Sequence, residues 1–139
     1  MCGISGSFGY KEEQKFSKHL RDVEPLLKRR GPDQLNIIDI DNFFAAHSRL
    51  IVQGDLEDGI QPMRYQNIVI LFNGNLYNKD SLKVHLESYG YIFRGVSDTE
   101  VVAISIFHWG LDAFNKFNGF FSIASYDVDK KTLTLARDR

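Results

Sequence analysis

The chain has 139 residues, 43% of them hydrophobic and 25% charged, with a formal net charge of −1 and one cysteine. This suffices for one domain with a real core and excludes an internal disulfide, while the longest basic cluster, Lys28-Arg29-Arg30, is too short to form a nucleic-acid or membrane-surface footprint. No basic n-region precedes an apolar run and no stretch reaches about 18 apolar residues, so neither a leader nor a membrane span is expected, and the expected compartment is cytoplasmic.

In chain order, Gly3 to Tyr10 alternates small residues with Ile4 and Phe8 and reads as a glycine-rich strand. Phe16, Leu20, Val23 and Leu27 follow at helical spacing, with Pro25 expected to bend or end that helix early. Leu35 to Ile40, the polar pair Asp41-Asn42 and Phe43 to His47 form a predicted hairpin, and Ile68 to Phe72 a fully buried strand. Asn78 is the predicted cap of a helix running to Tyr89, with Gly90 as its stop. Ser97-Asp98-Thr99-Glu100 has capping-box spacing ahead of a second helix. Phe120 to Tyr126, a turn at Asp127 to Lys131 and Thr132 to Ala136 make a closing hairpin. There are no repeats and no Pro/Gly/Ser linker, so no internal domain boundary is expected. Strands at both ends with helices between argue for an α+β fold rather than a parallel βαβ sheet.

Cys2 stands directly behind the initiator methionine. Removing Met1 would place a thiol and a free α-amine on one residue, a nucleophile beside a candidate base. Taken alone, Cys2 reads more readily as a chance cysteine in a small-residue strand. Gly3, Gly6 and Gly9 match neither the P-loop nor the dinucleotide spacing, so nucleotide binding has no support. His19, His47, His85 and His108 are scattered without ligand spacing, and no metal is expected. Arg30-Gly31-Pro32-Asp33 reads as a turn that ends the first helix, with no chemistry assigned. Arg49 alone is compatible with a surface arginine at a strand end, and Asp98 with a helix cap.

Seven segments in order resemble the class II glutamine amidotransferases, whose N-terminal-nucleophile domain opens the asparagine synthetases. They are M-C-G-I-S-G at the start, R-G-P-D at Arg30 to Asp33, A-H-S-R-L at Ala46 to Leu50, Q-P-M at Gln61 to Met63, F-N-G-N-L-Y-N at Phe72 to Asn78, S-D-T-E at Ser97 to Glu100, and G-F-F-S-I-A-S-Y-D leading to A-R-D-R at the end. The R-G-P-D, N-G-x-x-Y-N and A-R-D-R segments resemble the asparagine synthetase branch in particular.

The resemblance implies a four-layer α/β/β/α sandwich of two antiparallel sheets and the hydrolysis of glutamine to glutamate and ammonia. Cys2 would be the nucleophile and its α-amine the base, with Asn73 and Gly74 as oxyanion-hole donors. Arg49 would clamp the substrate carboxylate, Asp98 would pair with its ammonium, and Val52 and Asn75 complete the implied substrate-binding set. No cofactor is implied in this domain. ATP and magnesium would belong to a synthetase domain or subunit that receives the ammonia, and that half, with its S-G-G-x-D-S loop, is absent from these 139 residues. Relatives continue beyond A-R-D-R, so residues 1–139 are expected to be the N-terminal part of such a domain, incomplete at the C-terminal end. The chain departs from the family pattern at Arg29, where His is usual, at Gln53, where aspartate is common, and at Asn75, where glutamate is usual. The last change leaves Asp98 to hold the substrate's positive charge with less help. Two other readings stay open: a module feeding another acceptor, such as a polysaccharide sugar carboxylate, and a non-catalytic remnant.

Overall fold

A computed structural model describes residues 2–9, 13–51 and 58–139. They divide into two compact units, residues 1–54 and 55–139, each built around its own antiparallel sheet. The α+β class expected from the element order is therefore observed.

The first unit holds β1 (Gly3–Phe8), α1 (Glu13–Arg30), β2 (Gln34–Ile40) and β3 (Phe43–Arg49), with strand order β1-β3-β2. The predicted hairpin closes through Asp41-Asn42, with Ile40 opposite Phe43 and Asp41 at a positive φ of 56°. Tyr10 and the side chain of Phe16 lie outside the described residues. Pro25 does not end α1, which runs five residues further to Arg30. A proline inside a helix forfeits one backbone bond, but the last turn is held from outside. Leu27 is buried against Phe44 and Ala46, beside Leu20, Val23 and Leu35, and its carbonyl accepts the Gly31 N–H at 3.0 Å.

The second unit holds β4 (Met63–Tyr65), β5 (Ile68–Leu76), α2 (Lys79–Ser88), α3 (Asp98–Trp109), a 3-10 turn (Gly110–Asn115), β6 (Gly119–Asp127) and β7 (Thr132–Arg137), with strand order β4-β5-β6-β7. Period-2 alternation sends Ile68, Ile70, Phe72 and Leu76 of β5 into one cluster with Val101, Val102 and Ile106 of α3 and with Phe121 and Ile123 of β6. The short strand β4 was not legible in the sequence, because three residues carry no period. β5 runs four residues past its expected end at Phe72, since β6 pairs with it as far as Leu76 opposite Gly119. That extension needs glycine at Gly74, where φ is 157° and a Cβ would strike the Phe120 carbonyl oxygen; Gly119 meets the Asn75 carbonyl oxygen in the same way.

Two capping expectations are corrected. Asn78 stands at the start of α2, but its side chain does not cap that helix. Its Oδ1 accepts the Asn118 N–H at 3.0 Å and its Nδ2 donates to the Lys116 carbonyl at 2.8 Å, so it binds the loop before β6. Only half of the capping box forms at α3. Ser97 Oγ accepts the Glu100 N–H at 3.3 Å, while the nearly buried Glu100 carboxylate accepts the N–H groups of Arg94 and Gly95 at 2.9 and 3.0 Å. The backward reach that completes a capping box is lost because these two loop N–H groups hold the carboxylate.

The β6–β7 turn is organised by Asp127. Its Oδ1 accepts the Asp129 N–H, the Lys130 N–H and an Asn67 amide hydrogen, each at 3.0 Å, and its Oδ2 lies 3.5 Å from Lys130 Nζ. Burial pushes this carboxyl up, but the Lys130 and Asn67 hydrogen bonds and the Lys130 charge outweigh it, leaving Asp127 below the ordinary aspartate range. A carboxyl depressed in the folded state contributes stability above its unfolded value of about 3.9, and that contribution disappears as pH falls through the folded value. Asp127→Ala should cost about 1–2 kcal/mol at pH 7. The gap between variant and wild type should close as urea denaturation is repeated at successively lower pH below about 4.

Candidate active site

Cys2 immediately precedes β1, and Arg49 ends β3. The register sets Gly3 opposite Ser48, so the next pair outward along the ladder is Cys2 and Arg49, at one end of the first sheet. The turn to which no chemistry was assigned builds this end. Arg30 Nε donates to the Cys2 carbonyl at 3.2 Å. Gly31 lies so close to β3 that a Cβ there would come within 2.6 Å of the Arg49 backbone nitrogen and carbonyl carbon, so only glycine fits. The Asp33 N–H donates to the Arg49 carbonyl at 3.1 Å and its Oδ2 accepts the Ile51 N–H at 2.7 Å. Arg30-Gly31-Pro32-Asp33 therefore clasps the backbone on both sides of Arg49 and reaches Cys2 as well. Val52 and Gln53 lie outside the described residues.

Asn73, Gly74 and Asn75 lie on β5, in the second unit. Beyond Ile70, opposite Met63, no strand among the described residues pairs with the outer side of β5. Side chains take over the backbone groups there. Gln61, buried at 5% exposure, accepts the Phe72 N–H through Oε1, and Asp98 Oδ2 accepts the Leu76 N–H at 2.7 Å. Residues two apart on a strand direct their N–H groups to the same side. The Gly74 N–H therefore faces this edge between two occupied positions. Asn73 and Asn75 alternate to the face opposite the Phe72 and Leu76 side chains; Asn73 is half-buried and Asn75 exposed.

Asp98 opens α3, and its bond to Leu76 places its carboxylate one residue from Asn75. Its other oxygen, Oδ1, lies 3.6 Å from Lys79 Nζ. The fold thus brings Asn73, Gly74, Asn75 and Asp98 to one stretch of β5, and Cys2 and Arg49 to one sheet end. Gln61 and Lys79 were missed as contributors. Gln61 stood in the sequence only as the first letter of Q-P-M, and no periodicity marks a buried glutamine whose partners are 11 and 38 residues away. Its Nε2 donates to Thr99 Oγ1 at 3.0 Å, so one side chain braces the residue before Asn73 against the residue after Asp98.

The histidines serve packing and hydrogen bonding. His19 Nε2 is 3.0 Å from Ser5 Oγ, His47 is buried in β3, and His85 and His108 stack among Tyr89, Tyr91 and Trp109. No helix among the described residues is long and apolar enough to cross a membrane.

Residues 1–139 match the family described as "Glutamine amidotransferase domain". Asparagine synthetase [glutamine-hydrolyzing] 3 of Bacillus subtilis is 36% identical over 144 residues, covering 100% of this chain and 23% of that protein. Asparagine synthetase B [glutamine-hydrolyzing] of Escherichia coli is 33% identical, covering 99% and 25% respectively. The chain thus spans about a quarter of the length of these curated relatives. Among solved structures, glutamine phosphoribosylpyrophosphate amidotransferase from B. subtilis, complexed with ADP and GMP, superposes with a TM-score of 0.77 at 23% identity, over 99% of this chain and 37% of that one; at this identity the likeness speaks for the fold.

The Gln61 brace yields a direct test. Gln61→Met retains bulk but strips the Phe72 N–H of its acceptor, and a buried N–H without a partner costs about 1–3 kcal/mol. Denaturant unfolding should show a loss of this order, and amide exchange at Phe72 should accelerate. Gln61→Glu, which keeps an acceptor there and can accept from the Thr99 hydroxyl, should recover most of the stability.

Proposed function

Because this chain belongs to the glutamine amidotransferase domain family, we propose that Cys2 attacks the side-chain carboxamide of glutamine and that the ammonia released serves asparagine synthesis. The observation that carries the catalytic part of this reading is the outer edge of β5, where the Gly74 N–H lies between the amides held by Gln61 and Asp98, next to the Asn73 side chain. An N–H fixed at a strand edge is the kind of preorganised donor that stabilises developing negative charge without reorganisation.

With Met1 removed, Cys2 carries both thiol and amine. The thiol proton passes to the α-amine, and the thiolate adds to the carboxamide carbon, sending the carbonyl electron pair onto oxygen. The Asn73 amide and the Gly74 N–H receive that charge; loss of one such donor typically raises a barrier by about 3–4 kcal/mol. Collapse breaks the C–N bond, the leaving nitrogen takes the proton from the Cys2 ammonium, and ammonia departs from a thioester. Water then loses a proton to the same amine and adds to the thioester, and a second collapse releases glutamate and restores the thiol.

Arg49 holds the α-carboxylate in a bidentate geometry that lysine cannot supply, and Asp98 faces the α-ammonium, with Asn75 and Val52 completing the substrate contacts. These hydrolytic steps call for no metal or cofactor. ATP and magnesium belong to activation of the acceptor acid, in a synthetase domain or subunit that takes up the ammonia. Asparagine synthesis as the destination of the ammonia is supported by relatives named as glutamine-hydrolysing asparagine synthetases.

Cys2→Ala should lower glutamate release by roughly a thousandfold or more. It should also prevent covalent capture by an electrophilic glutamine analogue, with the unfolding midpoint preserved. Cys2→Ser should retain only a small residue of activity, since a hydroxyl is almost never ionised near neutral pH. Peptide mapping of the labelled wild type is the decisive measurement. Adduct on any residue other than Cys2, or a native chain that keeps Met1, would overturn the mechanism.

A further inference from the structure

We infer that Lys79 is a tethered cation competing with the substrate's α-ammonium for Asp98, and that it sets how far this site favours amides bearing that ammonium over amides lacking it. The inference rests on the role given to Asp98 above.

Lys79 is the first residue of α2. Its Nζ donates to the Val96 carbonyl at 3.0 Å and lies 3.6 Å from Asp98 Oδ1, with 29% of the lysine side chain and 17% of the aspartate side chain exposed. Both carboxylate oxygens are therefore engaged, Oδ2 by the Leu76 N–H and Oδ1 by Lys79. The charges at this point cancel, and the neighbouring Asn75 adds none. An ammonium arriving at Asp98 meets a carboxylate already paired. Either Lys79 releases Val96 and turns out to solvent, or two cations share one anion at partial burial. Each course reduces what the substrate gains from Asp98.

An ω-amide with hydrogen in place of the α-ammonium makes no such demand and leaves the pair intact. Lys83, one turn along α2, provides an internal contrast. It donates to the Gly95 carbonyl at 3.2 Å and lies over the Phe93 ring, holding the same loop through contacts that do not involve Asp98. If Lys79 were only a second such staple, its removal would loosen the loop and leave the discrimination between amides unchanged.

The test is steady-state ammonia release by the chain, wild type, Lys79→Met and Lys79→Arg, on glutamine and on 4-carbamoylbutanoate, its analogue without the α-amino group. Lys79→Met should lower KM for glutamine about three- to tenfold, the range set by removing a competing charge at a partly exposed pair. Its kcat should stay within about twofold, because the ammonium is held alike in ground and transition states. KM for 4-carbamoylbutanoate should not move, and Lys79→Arg should retain wild-type values for both amides. An unchanged or raised KM for glutamine in Lys79→Met, or equal shifts for the two amides, overturns the inference and leaves the amidotransferase reading standing. Failure of the wild type to release ammonia from glutamine overturns both.

Discussion

Beyond Ile70 the outer side of β5 has backbone N–H groups and no partner strand among the described residues, and a half-buried strand cannot leave those groups unsatisfied at low cost. Two side chains from elsewhere in the second unit meet the requirement, Gln61 at Phe72 and Asp98 at Leu76. Everything proposed for the chemistry of this unit depends on that arrangement. It fixes the strand that carries Asn73 to Asn75, ties the start of α3 to it, and leaves Gly74 between the two pinned amides. Gly74 contributes by lacking a side chain, since a Cβ would collide with the Phe120 carbonyl and pull β5 away from β6. A strand edge that would otherwise be a pairing liability is thus closed by side chains at Phe72 and Leu76.

The first unit follows the same logic with different parts. Cys2, directly before β1, and Arg49, the last residue of β3, lie at the ends of strands adjacent in the sheet and are more than forty residues apart in the chain, and the antiparallel register alone brings them to one end. The clasp formed by Arg30, Gly31 and Asp33 then restrains the backbone at that end from the α1 side. Pro25 is tolerated in α1 because the residues after it are needed there. Without the last turn neither buried Leu27 nor Arg30 would reach the sheet. The cost of a missing helical bond is offset by apolar burial and by the placement of the clasp.

At Asp98 an observed structural role and a proposed binding role share one carboxylate. The group that satisfies the Leu76 amide and faces Lys79 is the one proposed to meet the substrate's ammonium, and under that proposal affinity becomes a difference between competing partners rather than a sum of contacts. The acceptor proposed for the ammonia lies beyond this balance, since the chain spans about a quarter of the length of the relatives it matches.

The strongly patterned elements were legible from the residues: the glycine-rich first strand, the hairpin through Asp41-Asn42, the buried start of β5, the glycine stop at Gly90 and the closing hairpin. Each rests on local periodicity or turn chemistry, which acts within a few residues. The candidate site residues were legible only as motifs in order, because Arg49 and Asp98 taken singly look like any strand-end arginine or helix cap. Tertiary structure alone decided where the polar side chains went. Asn78 turned from its own helix to the loop at 116–118, Glu100 left the capping box for Arg94 and Gly95, and Gln61 found Phe72 and Thr99. A polar side chain takes whichever unsatisfied backbone group the fold brings within about 3 Å, and which groups remain unsatisfied is known only once the strands have paired.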